Sequence, residues 1–235
     1  MSQVSHQPAL RVPVGIVFDL DGTLVDTTYI HTLAWWQAFQ LAGHVVPMAS
    51  LHRAVGMGPD QLMPHILGDG RDERRDDDLV RAHDVLFATW HDKVEELPGA
   101  CHLLSWCHQQ GVTVGLASSS GGRDLEAMLA VLEHPDLDVV VTSEDVDRSK
   151  PGPDLVELAV HRMGLRPKEV LVVGDTVWDI KAAQALGARS AGLECGGTSE
   201  AELRAAGATW VFRDPERLCQ ELAEVSGPGR EAWPA

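Results

Sequence analysis

The sequence predicts a doubly wound α/β protein, a parallel sheet with helices on both faces, carrying an inserted α-helical cap. Three observations predict it. Short apolar runs rich in Val, Ile and Leu recur along the chain, segments of helical spacing separate them, and one early interval has helical spacing throughout.

The runs VGIVF (14–18), VTVGLA (112–117), VVV (139–141) and VLVVG (170–174) lack polar alternation, as strands buried on both faces do. Ala191–Glu194 and Thr209–Phe212 read as two further strands. Between runs, Leu103, Leu104, Trp106 and Cys107 precede Gly111, and Leu155, Leu158, Ala159 and Met163 precede Gly164. Those glycines, with Gly187, stand where helices are expected to stop. Alternating strands and helices imply right-handed crossovers and hence a parallel sheet.

From the first strand to Pro98-Gly99 the chain runs about seventy residues without a strand pattern, too long for a simple crossover. Leu33, Trp36 and Phe39, then Leu62 and Ile66, then Leu79, Leu86 and Trp90 recur at amphipathic spacing. We read residues 26–94 as a helical cap inserted into a core made of 1–25 and 95–235, with Trp35, Trp36 and Trp90 in the cap's interior. The charge run RDERRDDD at 71–78 reads as a solvated face or helix start. The tail SGPGREAWPA is expected to be loosely ordered.

Composition narrows the function. Lys plus Arg total 19 against 35 Asp plus Glu, a formal charge of −16 that opposes nonspecific binding to nucleic acid or anionic lipid. No apolar stretch is long enough to span a membrane, and the first residues lack the charged start and apolar core of a signal peptide. Cys101, Cys107, Cys195 and Cys219 show no metal spacing and read as reduced thiols. The expectation is a cytoplasmic protein, monomeric or weakly dimeric, whose partner is a small diffusible molecule, with no nucleic acid and no membrane.

In an open parallel sheet the ligand crevice lies beyond the carboxyl ends of the strands. There the sequence places Asp19, Asp21, Ser118, Lys150, Asp175 and Asp179. Several carboxylates at one point repel one another unless a divalent cation sits among them, and an all-oxygen site suits Mg²⁺. Lys150 and Ser118 supply a cation and a hydroxyl for an anion, which together describe phosphoryl transfer.

These residues also carry a resemblance. Asp19-Leu20-Asp21-Gly22-Thr23 resembles the first signature of the haloacid dehalogenase superfamily, D-x-D-G-T. Leu116-Ala117-Ser118-Ser119-Ser120 is similar to the second signature, Ser149-Lys150-Pro151-Gly152-Pro153-Asp154 to the third, and Gly174-Asp175 through Asp179 to the fourth. The four occur in family order over roughly residues 14 to 213, in the branch similar to phosphoglycolate phosphatase and β-phosphoglucomutase. The resemblance implies a Rossmann-like core and assigns roles. Asp19 is then the nucleophile that forms an aspartyl-phosphate, and Asp21 the general acid/base. Asp19, the Asp21 carbonyl, Asp175 and Asp179 hold Mg²⁺. Ser118, Ser119 and Lys150 orient phosphate, with Thr23 a marginal contact. His31 lies near the hinge and cleft, and Arg53, with Gly56-Met57-Gly58, matches the cap's specificity loop.

The expected function is therefore a Mg²⁺-dependent phosphatase acting on a sugar phosphate or a phosphoglycolate-like ester. A phosphosugar mutase is the alternative within the family, although Pro59 occupies the place of the usual cap arginine and Arg53 would have to substitute. A non-catalytic phospho-ligand-binding module is the alternative of another class. Cap closure, with hinges near Asp26–Thr28 and Glu95–Pro98, is expected to exclude water during transfer.

Overall fold

The computed structural model describes residues 8–227 and Trp233. A six-stranded, all-parallel sheet is built from β1 (Gly15–Phe18), β2 (Thr113–Ala117), β3 (Val139–Val141), β4 (Val170–Gly174), β5 (Arg189–Leu193) and β6 (Trp210–Phe212). Their order is β3-β2-β1-β4-β5-β6, with pairs such as Val17 opposite both Gly115 and Val172. The connection direction reverses on either side of β1, which opens a crevice at the carboxyl ends of β1 and β4.

Side chains alternate across the sheet. Ile16, Phe18, Leu116 and Val173 point to one face, under α5 (Ala100–Gln110), α6 (Gly122–Val131) and α10 (Pro215–Val225). Val17, Ala117 and Val172 point to the other, under α7 (Asp154–Arg162) and α8 (Val177–Leu186). The short α9 (Glu200–Ala205) bridges β5 and β6. Gly111 and Gly187 end α5 and α8 in left-handed conformations (φ 68° and 77°), which explains glycine at both stops.

The long interval contains α1 (Thr28–Leu41), α2 (Met48–Ala54), α3 (Pro59–Leu67) and α4 (Asp76–Ala88). They share an apolar cluster of their own, centred on Trp35, Phe39, Leu51, Leu62, Met63 and Leu79. Trp90 departs from its expected interior place: it follows the end of α4 and is 37% exposed. The chain crosses between the two parts twice, and the crossings lie side by side. Asp26 N donates to Glu95 O and Leu97 N to Leu24 O, both at 2.9 Å.

The run at 71–78 forms a short 3-10 turn and then the first turn of α4, where Asp76, Asp77 and Asp78 face the helix's positive end. Part of the C-terminal tail departs from expectation. Trp233 is buried, donates from Nε1 to Lys168 O at 2.6 Å and lies under the Arg189 guanidinium, so apolar burial anchors it; residues 228–232, 234 and 235 lie outside the described set. No helix among the described residues is long and apolar enough to cross a membrane.

Candidate active site

β1 ends at Phe18, and its next residue, Asp19, is held in register by Asp19 N donating to Val173 O of β4 at 2.9 Å. The chain then turns through Gly22 (φ 75°), where a Cβ would fall 2.0 Å from Thr28 Oγ1 and 2.6 Å from Asp175 Oδ2. Only glycine permits both the conformation and the approach. The turn brings Asp19 and Asp21 to the wall of one cavity of about 680 Å³ between the sheet and helices α1 to α4, a usual size for a small-molecule site.

Asp19, Asp175 and Asp179 are all buried and present carboxylate oxygens within 4.8 Å of one another. Thr23 Oγ1 lies 3.2 Å from Asp19 Oδ2 and 3.1 Å from Asp175 Oδ1, so this hydroxyl faces the carboxylates. Burial pushes the Asp19 carboxyl up to about 7, with Lys150 opposing the shift and Asp179 and Asp21 reinforcing it. Asp175 is likewise raised well above the carboxylate range by burial and by Asp179 and Asp19. Three mutually repelling carboxylates of this kind fit a hard divalent cation. Gly196 leaves room for the Asp175 carboxylate, because a Cβ there would lie 1.6 Å from Asp175 Oδ2.

Lys150, itself only 1% exposed, reaches Asp19 Oδ1 at 2.5 Å and Asp179 Oδ1 at 2.8 Å. The second contact has ion-pair distance without hydrogen-bond direction. Burial disfavours the ammonium, but Asp179 and Asp19 more than compensate and raise its pKa. Asp179 does two jobs. Its Oδ2 accepts from Thr176 N at 3.1 Å and Thr176 Oγ1 at 2.6 Å, closing a capping box at the start of α8, which leaves Oδ1 for Lys150.

Asp21 belongs to a different set. Its Oδ1 meets Thr27 Oγ1 at 2.7 Å and His31 Nε2 at 2.8 Å, and its Oδ2 accepts from Ser120 Oγ at 2.7 Å. Burial works against its charge, yet the His31 contact and these hydrogen bonds hold the carboxyl down at about 2. His31 thus touches Asp21. Ser118 is fully buried at the end of β2, where its Oγ accepts from Ser120 N at 3.0 Å.

Two expected substrate contacts lie elsewhere. Arg53 is absent from the cavity wall; its side chain is half exposed and pairs with Glu202 at 3.0 Å, because α2 presents that face to α9. Ser119 lines the cavity, but its hydroxyl donates to Gly56 O at 3.3 Å across the cleft. Sequence reasoning placed Ser120 in the second signature but not on Asp21, and it missed Thr27, Asp60, His83, Asp84 and Arg123. Asp60 accepts from Ser149 N at 3.1 Å and so fixes the loop that carries Lys150. Arg123, near the start of α6, is the one lysine or arginine on the cavity wall, and it has no hydrogen bond or ion pair among the described residues. The serine run before α6 was a visible signal for Ser120; nothing local marked the others.

A Rossmann-like sheet with strand-end aspartates, a buried lysine and a helical cover over the cavity defines an α/β protein whose site is suited to phosphoryl transfer. The chain belongs to the haloacid dehalogenase-like hydrolase family, which it matches over residues 14–187. It is 33% identical to phosphoglycolate phosphatase of Escherichia coli strain K12, over 77% of this chain and 81% of that enzyme. A hydrolase from Pseudomonas syringae superposes with a TM-score of 0.86 at 31% identity, covering 91% of this chain and 99% of that one. A β-phosphoglucomutase from Clostridium difficile shares the fold, with a TM-score of 0.77 at 19% identity and coverage of 91% and 98%. The protein is a phosphatase.

Proposed function

We propose that the protein is a Mg²⁺-dependent phosphatase of a small metabolite bearing a second anionic group, a phosphoglycolate-like ester, acting through an aspartyl-phosphate on Asp19. The observation that carries this reading is that Asp19 and Asp21 share one cavity where, among the described residues, Arg123 is the one lysine or arginine on the wall. Arg123 is suited to a carboxylate on the substrate, as Arg generally is. The relatives named phosphoglycolate phosphatase support the same choice.

Asp19, Asp175 and Asp179 would hold Mg²⁺, with the Asp21 carbonyl as a further oxygen. When bound, the cation offsets carboxylate repulsion and neutralises charge on the transferring phosphoryl group. Asp19 attacks phosphorus, forming the Asp19–phosphorus bond as the ester bond breaks, and the proton shared across the Asp21–His31 contact passes by way of Asp21 to the departing oxygen. Asp21, now ionised, takes a proton from water as the water attacks the aspartyl-phosphate and frees Asp19. Lys150 favours the ionised form of Asp19 and aims it, and Ser118 shapes the phosphate-facing loop through the Ser120 amide.

The mutase reading loses support, since Arg53 faces Glu202 and supplies the cavity no second cation. The test is phosphate release from phosphoglycolate, sugar phosphates, nucleotides and p-nitrophenyl phosphate, in Mg²⁺ and in chelator. Metal-dependent release greatest for phosphoglycolate is expected, with none from Asp19→Asn. Isomerised sugar phosphate without release would establish the mutase, and silence across the panel would favour the binding module.

A further inference from the structure

Ser149 stands one residue before Lys150 in the loop that leads to α7, and it is buried. Its polar groups are held by the start of α3. Ser149 N donates to Asp60 Oδ2 at 3.1 Å, Ser149 Oγ donates to Asp60 Oδ1, and Gly58 N donates to Ser149 Oγ at 3.0 Å. Three hydrogen bonds thus tie the helical cover to the segment that bears Lys150. A Cβ at residue 58 would run into Ser149 Oγ and Asp60 Oδ1. The backbone there, with φ −72°, is open to any residue, so close contact alone demands glycine.

Gly58, Asp60 and Ser149 are all absent from the wall of the cavity that Asp19 and Asp21 share. Asp60 is exposed, and Gln61 Nε2 donates to its Oδ2 at 2.8 Å. What the three govern is the backbone next to Lys150. The lysine side chain spans from this loop to Asp19 Oδ1 at 2.5 Å and Asp179 Oδ1 at 2.8 Å. Its stem is four flexible carbons, so the place of the ammonium depends on where the backbone is anchored. The same turn of the cover reaches a second loop of the site, since Gly56 O accepts from Ser119 Oγ at 3.3 Å.

We propose that Asp60 is a positioning residue for phosphoryl transfer: through Ser149 it sets the backbone from which Lys150 reaches Asp19, so the lysine is in place only while α3 is seated on the core. This rests on the reading of Lys150 as the group that aims Asp19. The turn Gly56-Met57-Gly58, expected from the sequence to read the substrate, then acts on every ester alike, because it sets a group that all of them meet.

The test is steady-state kinetics on phosphoglycolate and p-nitrophenyl phosphate. Asp60→Ala removes both acceptor oxygens at an exposed position. It is expected to lower kcat about tenfold, by the same factor on both esters, with KM within about twofold of the parent. Asp60→Asn keeps one acceptor oxygen and is expected to recover part of the loss. In a Lys150→Met background, Asp60→Ala should cost nothing further, as expected when one residue acts through the other. If Lys150→Met does not fold, Ser149→Ala keeps the test open, because the Ser149→Ala and Asp60→Ala double variant should be within about twofold of Asp60→Ala alone. An unchanged kcat, a loss that differs between the esters, a rise in KM alone, or additive losses in the double variants would overturn the inference. Lys150→Met also separates the two levels. If it lowers kcat and Asp60→Ala does not, the inference alone fails; if Lys150→Met leaves kcat unchanged, the reading of Lys150 fails with it.

Discussion

The Lys150 ammonium sits 2.5 Å from Asp19 Oδ1, both side chains being buried. A buried cation between carboxylates is held by them, and removing it strands their charge. Lys150→Met is therefore expected to destabilise the protein by roughly 3 kcal/mol, the usual cost of breaking a buried pair from one side. It should also lower kcat by about a hundredfold, as loss of one preorganised charge at a transferring group does. Urea unfolding and steady-state kinetics read the two effects; an unshifted urea midpoint would show that Lys150 does not compensate these carboxylates.

Metal dependence should vary with pH in a fixed direction. Asp19 is raised from 3.8 to about 7 and Asp175 is raised as well, so the folded chain binds protons more tightly there than the unfolded chain. Their contribution to stability is full below the unfolded value near 3.8 and is lost as pH rises through about 7. His83 works in the opposite sense, since its depression from 6.5 to about 4 makes stability fall as pH drops through that window. Comparing melting temperatures with Mg²⁺ and with chelator at each pH cancels the histidine's share. The stabilisation by Mg²⁺ is expected to grow between pH 5 and about pH 8, as the carboxylates ionise and the cation offsets their repulsion. A gain independent of pH would separate metal binding from these carboxylates.

The sheet and the strand-end residues were legible because each depends on short-range pattern. An apolar run of five residues followed by Asp19, or by Asp175, says both strand and crevice. Asp21's surroundings were not legible in the same way. Thr27 is six residues away and Ser120 ninety-nine, and the His31–His83 contact depends on how α1 packs against α4, which periodicity within either helix does not specify. Arg53 read from its neighbours alone as either a substrate contact or a surface ion pair, for the same reason. Its place in the specificity loop was read locally, whereas its direction is set by α9, which brings Glu202 to it from the far end of the chain. Trp233 shows the converse, an anchor inside a tail whose composition spoke for disorder.

Gly196 gives a direct test of the metal assignment. A methyl group there would overlap Asp175 Oδ2, while Gly196 itself lies at the end of a short turn after β5, outside the cavity wall. Gly196→Ala should displace the Asp175 carboxylate and leave the cavity intact. The expected result is an increase of about tenfold in the Mg²⁺ concentration needed for half-maximal activity, the lower end of what disturbed ligand positioning costs. Phosphoglycolate KM at saturating Mg²⁺ should be unchanged. A shift in KM with no shift in the Mg²⁺ requirement would place residue 196 in substrate binding instead.

The two arginines separate by geometry and should separate by kinetics. Arg53 pairs with Glu202 at 3.0 Å in an exposed contact, and exposed pairs of this kind contribute about 1 kcal/mol or less. Arg53→Ala is expected to leave kcat and KM within about twofold of the parent. Arg123 has no hydrogen bond or ion pair among the described residues and stands on the wall of the cavity that Asp19 and Asp21 share. A charged hydrogen bond from it to a substrate carboxylate is worth about 1.5 to 3 kcal/mol, so Arg123→Ala should raise KM for phosphoglycolate by roughly tenfold or more. Esters without a second anion, p-nitrophenyl phosphate among them, should keep their KM. If Arg53→Ala instead carries the carboxylate-dependent loss, the cap must bind substrate in an arrangement that turns α2 inward, and the specificity-loop role expected of Arg53 from the sequence returns.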